Sequence, residues 1–359
     1  MEKKIQIGVI LLLMSLTVSS CSGTGLFNVS AGNDPSNSVL LADFTETPTP
    51  FVPLNPTGTV FSSPIGSSSP AVPTVTPTAT PGDPWGDFPG PTQISAIEIP
   101  PPVPRIDFQE DVVNIILLGS DAAPDRYGHR TDTMMILTLY PESKKVALLS
   151  IPRDLFVYIP GLKVDRINVA DTFGGIEMVS QTILYNFGIE INYWTRVNLN
   201  GFVASINHLG GIDVEVENYL YDECGGVYYQ YYPGTYHMDG YTAMCFVRMR
   251  KTTSDFDRIH RQQEVLRAIF DKFFSVDGLT KIPQLYGEFN QWVEGDIGIT
   301  DLLPLIPLAS DLATGNATFN GYSIDGSMVS NWIMPISGAQ VLLPNREKIL
   351  EFLTSIYLY

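Results

Sequence analysis

Three regimes of hydrophobic patterning divide this chain. An uncharged run, Ile5 to Val18, comes first; a long stretch without sustained period follows; from Ile106 onward apolar positions recur at strand or helix spacing. Val112 to Leu118 is an apolar run ending in Gly119, which predicts a strand buried on both faces and delivering Asp121 at its carboxyl end. Thr133 to Tyr140 and Lys145 to Ile151 read as two further strands joined by the turn Pro141-Glu142-Ser143. Gly174-Gly175 opens an amphipathic helix to Phe187, with Ile176, Val179, Ile183, Leu184 and Phe187 at helical spacing. Tyr193 to Leu199 reads as a strand, Phe202 to Leu209 as a helix, and Gly211 to Val216 alternates as a strand does. Two helices are predicted next, Asp239 to Met249 and Asp257 to Phe274, the latter carrying Ile259, Val265, Leu266, Ile269, Phe270 and Phe273. The remaining eighty or so residues add a few helices and one or two short strands. Interleaved strands and helices define an α/β class: one domain, with a central mixed β-sheet flanked by helices on both faces.

Composition separates what precedes that domain. The run from Ile5 to Val18 follows Lys3 and Lys4 and falls short of the roughly 20 residues that span a bilayer, so it reads as an export signal. Its end, Val18-Ser19-Ser20-Cys21, resembles a bacterial lipobox, in which the Cys is diacylated after cleavage. Two acyl chains would hold the domain stably at the outer face of the cytoplasmic membrane. Residues 1–21 are therefore the expected signal segment, with Cys21 the lipidation site. Ser22 to Pro104 holds 17 of the 27 prolines among Ser, Thr, Gly and Asn, so residues 22–105 are expected to form a disordered tether. The folded domain is expected to occupy residues 106–359. Only Cys224 and Cys245 remain, and an even pair in an exported domain predicts one disulfide.

Charge adds candidate chemistry. Acidic residues outnumber basic ones 38 to 21, for a formal net charge of -17, a field that repels nucleic acid. Yet nine of the twelve arginines fall in two short windows. The first holds Arg126, Arg130, Arg153 and Arg166 beside Asp121, Asp132 and Asp154; the second holds Arg248, Arg250, Arg258, Arg261 and Arg267. General basicity does not concentrate arginine this way in an acidic chain, whereas a local phosphate ligand does, because guanidinium forks match its oxygens and stay charged. Asp121, Arg153 and the turn from Arg130 to Asp132 belong to strand ends that meet at one edge of an open α/β sheet. Arg258 and Gln262, four apart, share a helix face, while Arg261 and Arg267 lie elsewhere around the axis. Arg248 and Arg250 converge only if their helix ends there, and Thr252-Thr253-Ser254 is a suitable stop. Arg126, Arg261 and Arg267 are expected at the surface, and His129 and His260 as neighbours of the site. Nucleophile elbows, phosphate-cradling loops with Lys, dinucleotide fingerprints and zinc spacings are all missing from the sequence.

The blocks Asn114 to Asp121 (NIILLGSD), Arg130 to Met135 (RTDTMM), Leu149 to Asp154 (LSIPRD) and Arg166 to Asn168 (RIN) resemble signature blocks of the LytR-CpsA-Psr family. So do Gly210 to Val214 (GGIDV), Val247 to Arg250 (VRMR) and Asp257 to Gln263 (DRIHRQQ), in the family's order. The resemblance implies an extracytoplasmic enzyme of the cell envelope. Such enzymes transfer a glycopolymer from a polyprenyl (pyro)phosphate carrier onto the cell wall, typically peptidoglycan. Carried over by position, Asp121 and Asp132 correspond to ligands of Mg²⁺, which Mn²⁺ can replace. Arg130, Arg153, Arg248, Arg250, Arg258 and Gln262 correspond to the groups that bind pyrophosphate. Arg153 and Asp154, with Asp121 and Asp132, form the expected catalytic set. Arg166 stands where the family usually has Lys and is expected to keep a phosphate contact. The family's usual transmembrane anchor is replaced here by the lipobox-like segment and tether.

A glycosyl pyrophosphate must lose polyprenyl phosphate as its leaving group, so catalysis requires charge neutralisation, which arginines and a bound cation supply. The acceptor proton can pass to Asp154 or to a metal-linked acid, and the sequence leaves that choice open. A polyprenyl chain requires an apolar groove; Phe173, Ile183, Phe187, Trp194, Phe202, Ile206, Phe246 and Phe270 are candidates, although a place in the core is the simpler account of each. The alternatives to a transferase are a polyprenyl pyrophosphate hydrolase, which is also an expected side activity, and a lipid-phosphate binding or sensing protein without turnover. Both Asp121 and Asp132 are retained, which favours an enzyme.

Overall fold

The computed structural model describes residues 86–120, 130–251, 254–273, 293–335 and 337–358. The chain enters with β1 (Val113–Ser120), β2 (Thr131–Tyr140) and β3 (Lys145–Ser150), close to the predicted bounds. A hairpin that the sequence did not reveal, β4 (Phe156–Ile159) and β5 (Lys163–Arg166), leads through one 3-10 turn into α1 (Ala170–Phe187). Then come β6 (Tyr193–Asn198), α2 (Leu199–His208), β7 (Ile212–Val216), β8 (Leu220–Cys224), β9 (Val227–Tyr231) and β10 (Gly234–Met238). α3 (Gly240–Phe246) and α4 (Asp255–Phe273) carry the second arginine window, before β11 (Val293–Gly295), α5 (Ile299–Leu302), α6 (Ile306–Ala313) and β12 (Thr318–Ser323). The hairpin β13 (Val329–Ile333) and β14 (Gln340–Pro344) precedes α7 (Arg346–Tyr357).

The central sheet is mixed and six-stranded, in the order β11-β6-β1-β2-β3-β12. β1 pairs antiparallel with β2 and parallel with β6, and β12 runs parallel to β3. Ile116, Leu118, Ile136 and Leu149 point to one face, against Val179 and Ile183 of α1 and Ile349 and Leu353 of α7. Their neighbours Ile115, Leu137 and Leu148 point to the other, against Leu266 and Phe270 of α4 and Leu308 of α6. Helices on both faces explain why these strands read as continuous apolar runs. Asn114, buried within β1, is satisfied: its Oδ1 accepts from Thr138 Oγ1 at 2.8 Å and its Nδ2 donates to the Glu190 carbonyl at 3.0 Å.

The helix predicted from Gly174 begins one turn earlier, at Ala170, and breaks at the glycine pair, where Gly175 takes a φ of 61° that a side chain would resist. The C-terminal region holds more strand than expected. β12 is an exposed edge strand, and β13 and β14 are half-exposed, so their alternation is too weak to read from the sequence alone.

The folded part also begins before Ile106. Within the expected tether, residues 86–105 are described and pack on the domain. The Tyr158 and Tyr185 hydroxyls donate to the Pro89 and Pro100 carbonyls at 2.7 Å each, Phe88 packs edge-on to Tyr185, and Val103 is buried. Proline removes donors but leaves carbonyls, so an extended Pro-rich strap can be held by tyrosine hydroxyls donated from the domain. The signal segment, Cys21 and the rest of the tether lie outside the described residues.

A buried ion pair fixes β6 to α1: Arg196 makes a bidentate contact with Asp171 and a further one to Glu294 at 3.0 Å. Asp171→Ala strands a buried guanidinium and is expected to lower the unfolding free energy by about 3–5 kcal/mol, measured by urea denaturation. A chain beginning at Ile106 is expected to melt below one beginning at Gly86, because burial of Val103 contributes about 1.5–3 kcal/mol and the partly buried Phe88, Ile97 and Ile99 add to it. Calorimetry of the two chains checks this, and equal melting temperatures would show the strap to be passive.

Candidate functional site

The β1–β2 register slips by one residue, with Gly119 opposite Thr133 and Ser120 opposite Thr131. Asp132 is the extra residue of this bulge, a device that turns one side chain out of the ladder at a sheet edge. There its Oδ1 accepts from Arg153 Nη1 at 2.6 Å. Arg153 follows β3 and also donates through Nε to Asp154 Oδ2 at 3.3 Å, while Arg166, at the end of β5, reaches Asp154 Oδ1 at 3.4 Å. Burial alone would lower the Arg153 pKa, but its bonds to Asp132 and the two nearby carboxylate charges raise it. Beneath this cluster Asn168 is fully buried, its backbone N–H donating to the Arg153 carbonyl at 3.3 Å, while both polar atoms of its side-chain amide lack partners among the described residues. Such atoms are rare in folded interiors and mark places where stability yields to function.

The second arginine window arrives from the other side. α3 stops at Phe246, so Arg248 and Arg250 sit beyond the helix end, the condition under which they can converge. Two constraints hold this segment. The predicted disulfide is present, joining Cys224 of β8 to Cys245 of α3, and Asp222 Oδ2 accepts from the backbone N–H groups of Arg250 and Lys251 at 2.6 and 3.1 Å. Arg250 then reaches Asp255 Oδ1 at 2.6 Å. On α4, Arg258 and Gln262 face the cluster together as their spacing predicts. Arg258 is only 9% exposed, and burial lowers its pKa, with Arg250 and Arg153 adding repulsion that Asp255 and Asp132 offset in part. Arg261 departs from its expected surface place: it is buried and donates to the Met249 carbonyl, bracing the segment between Arg248 and Arg250. Arg267 is exposed, and His260 is an exposed neighbour paired with Glu217 at 3.4 Å.

Two cavities meet at this cluster. The larger, about 470 Å³, has Arg153, Arg248, Arg250 and Arg258 with Asp132 and Gln262 at its polar end, and Leu117, Leu199, Phe202, Val265, Leu266 and Ile269 among its apolar walls. Of the aromatic and aliphatic residues considered for a groove, only Phe202 lines it. Ile183, Phe187, Ile206 and Phe246 are core, Trp194 and Phe270 pack against core clusters, and Phe173 is 58% exposed. The other walls come mainly from strands β1 and β6 and helices α2 and α4, whose apolar residues look like ordinary core in one dimension. The smaller cavity, about 280 Å³, includes Asp132, Arg153, Asp154, Arg258 and Gln262. Arg130 is exposed just before β2 and lines neither cavity, and Arg166 approaches only through Asp154. Asp121, Arg126 and His129 lie outside the described residues. Asp222 and Asp255, which position the arginines, carried no sequence signal beyond their charge.

Burial pushes the Asp222 pKa up, but backbone N–H donors from Arg250, Glu223 and Lys251 and the Lys251 charge hold it below the ordinary value. A depressed carboxylate stabilises the fold above its unfolded pKa, about 3.9, and loses that contribution as pH falls through the folded value. Hydrogen exchange of the Arg250 and Lys251 amides, corrected for intrinsic rate, should therefore lose protection below about pH 4 in the wild type. Asp222→Asn should lose it at neutral pH, whereas unchanged protection in that variant would remove Asp222 from the clamp.

Comparison with known proteins points the same way. The LytR_cpsA_psr family model matches residues 95–353. The teichoic acid transferase TagU of Oceanobacillus iheyensis, named as acting between polyisoprenyl-teichoic acid and peptidoglycan, is 32% identical over 251 residues, 67% of this chain and 76% of that protein. Other proteins of that name are matched over 56% of their length. The crystal structure of B. subtilis TagV superposes with a TM-score of 0.59 at 29% identity, covering 70% of this chain and 99% of that one. TagT bound to LIIa-WTA gives 0.55 at 26% identity over 71% of this chain and 94% of that one. The match spans the second half of the strap, the sheet and both arginine windows, and the chain belongs to the LytR_cpsA_psr family.

Proposed function

We propose that this chain transfers a glycopolymer, as its sugar phosphate, from a polyprenyl pyrophosphate carrier to a hydroxyl of the cell envelope. The observation that carries this reading is the larger cavity: four guanidinium groups gather at one end of a pocket whose remaining walls are largely apolar. Only an amphiphile with a multiply charged head suits both ends. The names of the relatives support teichoic acid as the polymer and peptidoglycan as the acceptor. In this reading Arg248, Arg250 and Arg258 bind the diphosphate, and Arg153, oriented by Asp132 and Asp154, stabilises charge on the transferring group. Asp132 offers a carboxylate at the junction of the cavities, and no cluster of three or more metal-ligating side chains occurs among the described residues. That donor set suits Mg²⁺ or Mn²⁺, which need one or two carboxylates and take phosphate oxygens and water for the rest. Asp132, with Asp121, would hold the ion, which would neutralise phosphate charge when bound.

We further place the domain outside the cell, exported by residues 1–21 and held at the membrane by acyl chains on Cys21. No helix among the described residues is long and apolar enough to cross a membrane.

The test is turnover of polyprenyl pyrophosphate-linked N-acetylglucosamine by the purified chain with soluble uncrosslinked peptidoglycan strands as acceptor, with and without EDTA. Release of polyprenyl phosphate is expected, lost with EDTA and restored by Mg²⁺. Arg248 is exposed, with no ion pair among the described residues, so Arg248→Ala should lower kcat by about 10²–10³-fold. Its stability should change by no more than about 0.5 kcal/mol. Tight donor binding without release would leave a lipid-phosphate binding protein, and release to water alone would leave a hydrolase.

A further inference from the structure

Displacement at a phosphoryl group runs roughly in line, so the attacking oxygen enters opposite the departing one. A donor whose polyprenyl chain occupies the larger cavity sends its leaving phosphate toward Arg248 and Arg250, which line that cavity alone. The acceptor must then come from the β3 side of Asp132 and Arg153, and the smaller cavity opens there. Asp132, Thr133, Met135, Arg153, Arg258 and Gln262 line both cavities and form the wall between them. Beyond that wall the lining is mixed and carries a larger share of polar groups than that of the larger cavity. Ser150, Asp154, Ser254, Asp255, Asn331 and Gln340 line the smaller cavity among apolar neighbours such as Ile151 and Phe256, Asn331 and Gln340 coming from the exposed hairpin β13–β14. Arg258 in the wall is largely buried, its side chain 11% exposed, and its Nε has no hydrogen-bond partner among the described residues. A buried N–H without an acceptor carries a cost that a bound oxygen ligand removes.

Given the transferase reading, we infer that the smaller cavity is the acceptor subsite. It takes a neutral glycan whose hydroxyl reaches the phosphorus beside Arg153, with Asn331 and Gln340 holding its sugars and Asp154 receiving the proton. Asp255 is already engaged by Arg250 at 2.6 Å, whereas Asp154 has only the longer contacts to Arg153 and Arg166. Asp154 is also tied to the hairpin, because its carbonyl accepts from the Leu342 N–H at 2.9 Å, so glycan seating and proton transfer share one support. In the step, the acceptor oxygen forms a bond to the sugar-linked phosphorus as its proton passes to the Asp154 carboxylate. The bond from that phosphorus to the bridging oxygen breaks, its electron pair leaves on polyprenyl phosphate, and Asp154 returns the proton to water.

The experiment uses the full chain, polyprenyl pyrophosphate-linked N-acetylglucosamine as donor and soluble uncrosslinked peptidoglycan strands as acceptor. Gln340→Trp and Asn331→Trp fill the cavity mouth from exposed positions. Each is expected to lower kcat/KM for the strands about ten-fold or more, mainly through KM, while donor Kd stays within about two-fold. Asp154→Asn should lower kcat by about 10²-fold or more with donor Kd unchanged. Donor binding weakened in both Trp variants would assign the cavity to the donor, and unchanged strand kinetics would place the acceptor elsewhere; either result overturns the proposal. If the wild type binds donor but transfers nothing, the transferase reading fails separately. Strand binding to the donor-loaded protein, followed by NMR line broadening, then decides the subsite: loss in Gln340→Trp supports it, and equal binding or none in the wild type overturns it.

Discussion

Guanidinium groups gathered around one cavity repel one another, and much of the surrounding structure holds them there against that repulsion. Arg153 is pinned between Asp132 and Asp154, Arg250 between Asp255 and the backbone clamp at Asp222, and Arg258 by burial on α4. Each carboxylate takes up part of the charge, and Arg248 is left without an ion pair among the described residues. A site built this way stores an electrostatic deficit that a multiply charged anion relieves, and Arg258, whose pKa is lowered by burial and by its arginine neighbours, shows where that deficit is concentrated.

The sheet makes this arrangement affordable. Because both faces are covered, β1, β2 and β3 are rigid up to the edge where the bulge at Asp132 turns a carboxylate out of the ladder. The same edge separates two spaces of different lining, one largely apolar beneath α4 and one of mixed polar and apolar residues beneath the β13–β14 hairpin. One short wall of residues serves both spaces, so groups held on its two sides meet different surroundings.

Several features were legible before any fold was known. Strand and helix periods located most of the central elements, and the disulfide followed from an even cysteine pair. Thr252-Thr253-Ser254 suggested a helix stop after Met249, whereas α3 already ends at Phe246, which leaves both Arg248 and Arg250 outside it. Other readings failed for identifiable reasons. The strap at residues 86–105 looks disordered because its partners, Tyr158 and Tyr185, are distant in sequence. Arg261 looked like a surface charge because a buried guanidinium is justified by the Met249 carbonyl, which periodicity cannot reveal.

By itself the sequence determined the α/β class, the family and the set of arginines and acids from which a phosphate site could be built, since local periods and residue chemistry act over a few positions. Only the tertiary structure decided which of those charges face one cavity, which brace the backbone, and which apolar side chains wall a pocket in place of filling a core. Arg258 and Arg261 differ by less than one helical turn and have opposite roles, and Leu266 and Phe270, one turn apart, pack against the same sheet face although only Leu266 also lines the cavity. Those outcomes depend on what each helix face meets across the sheet, a long-range contact that no local pattern encodes.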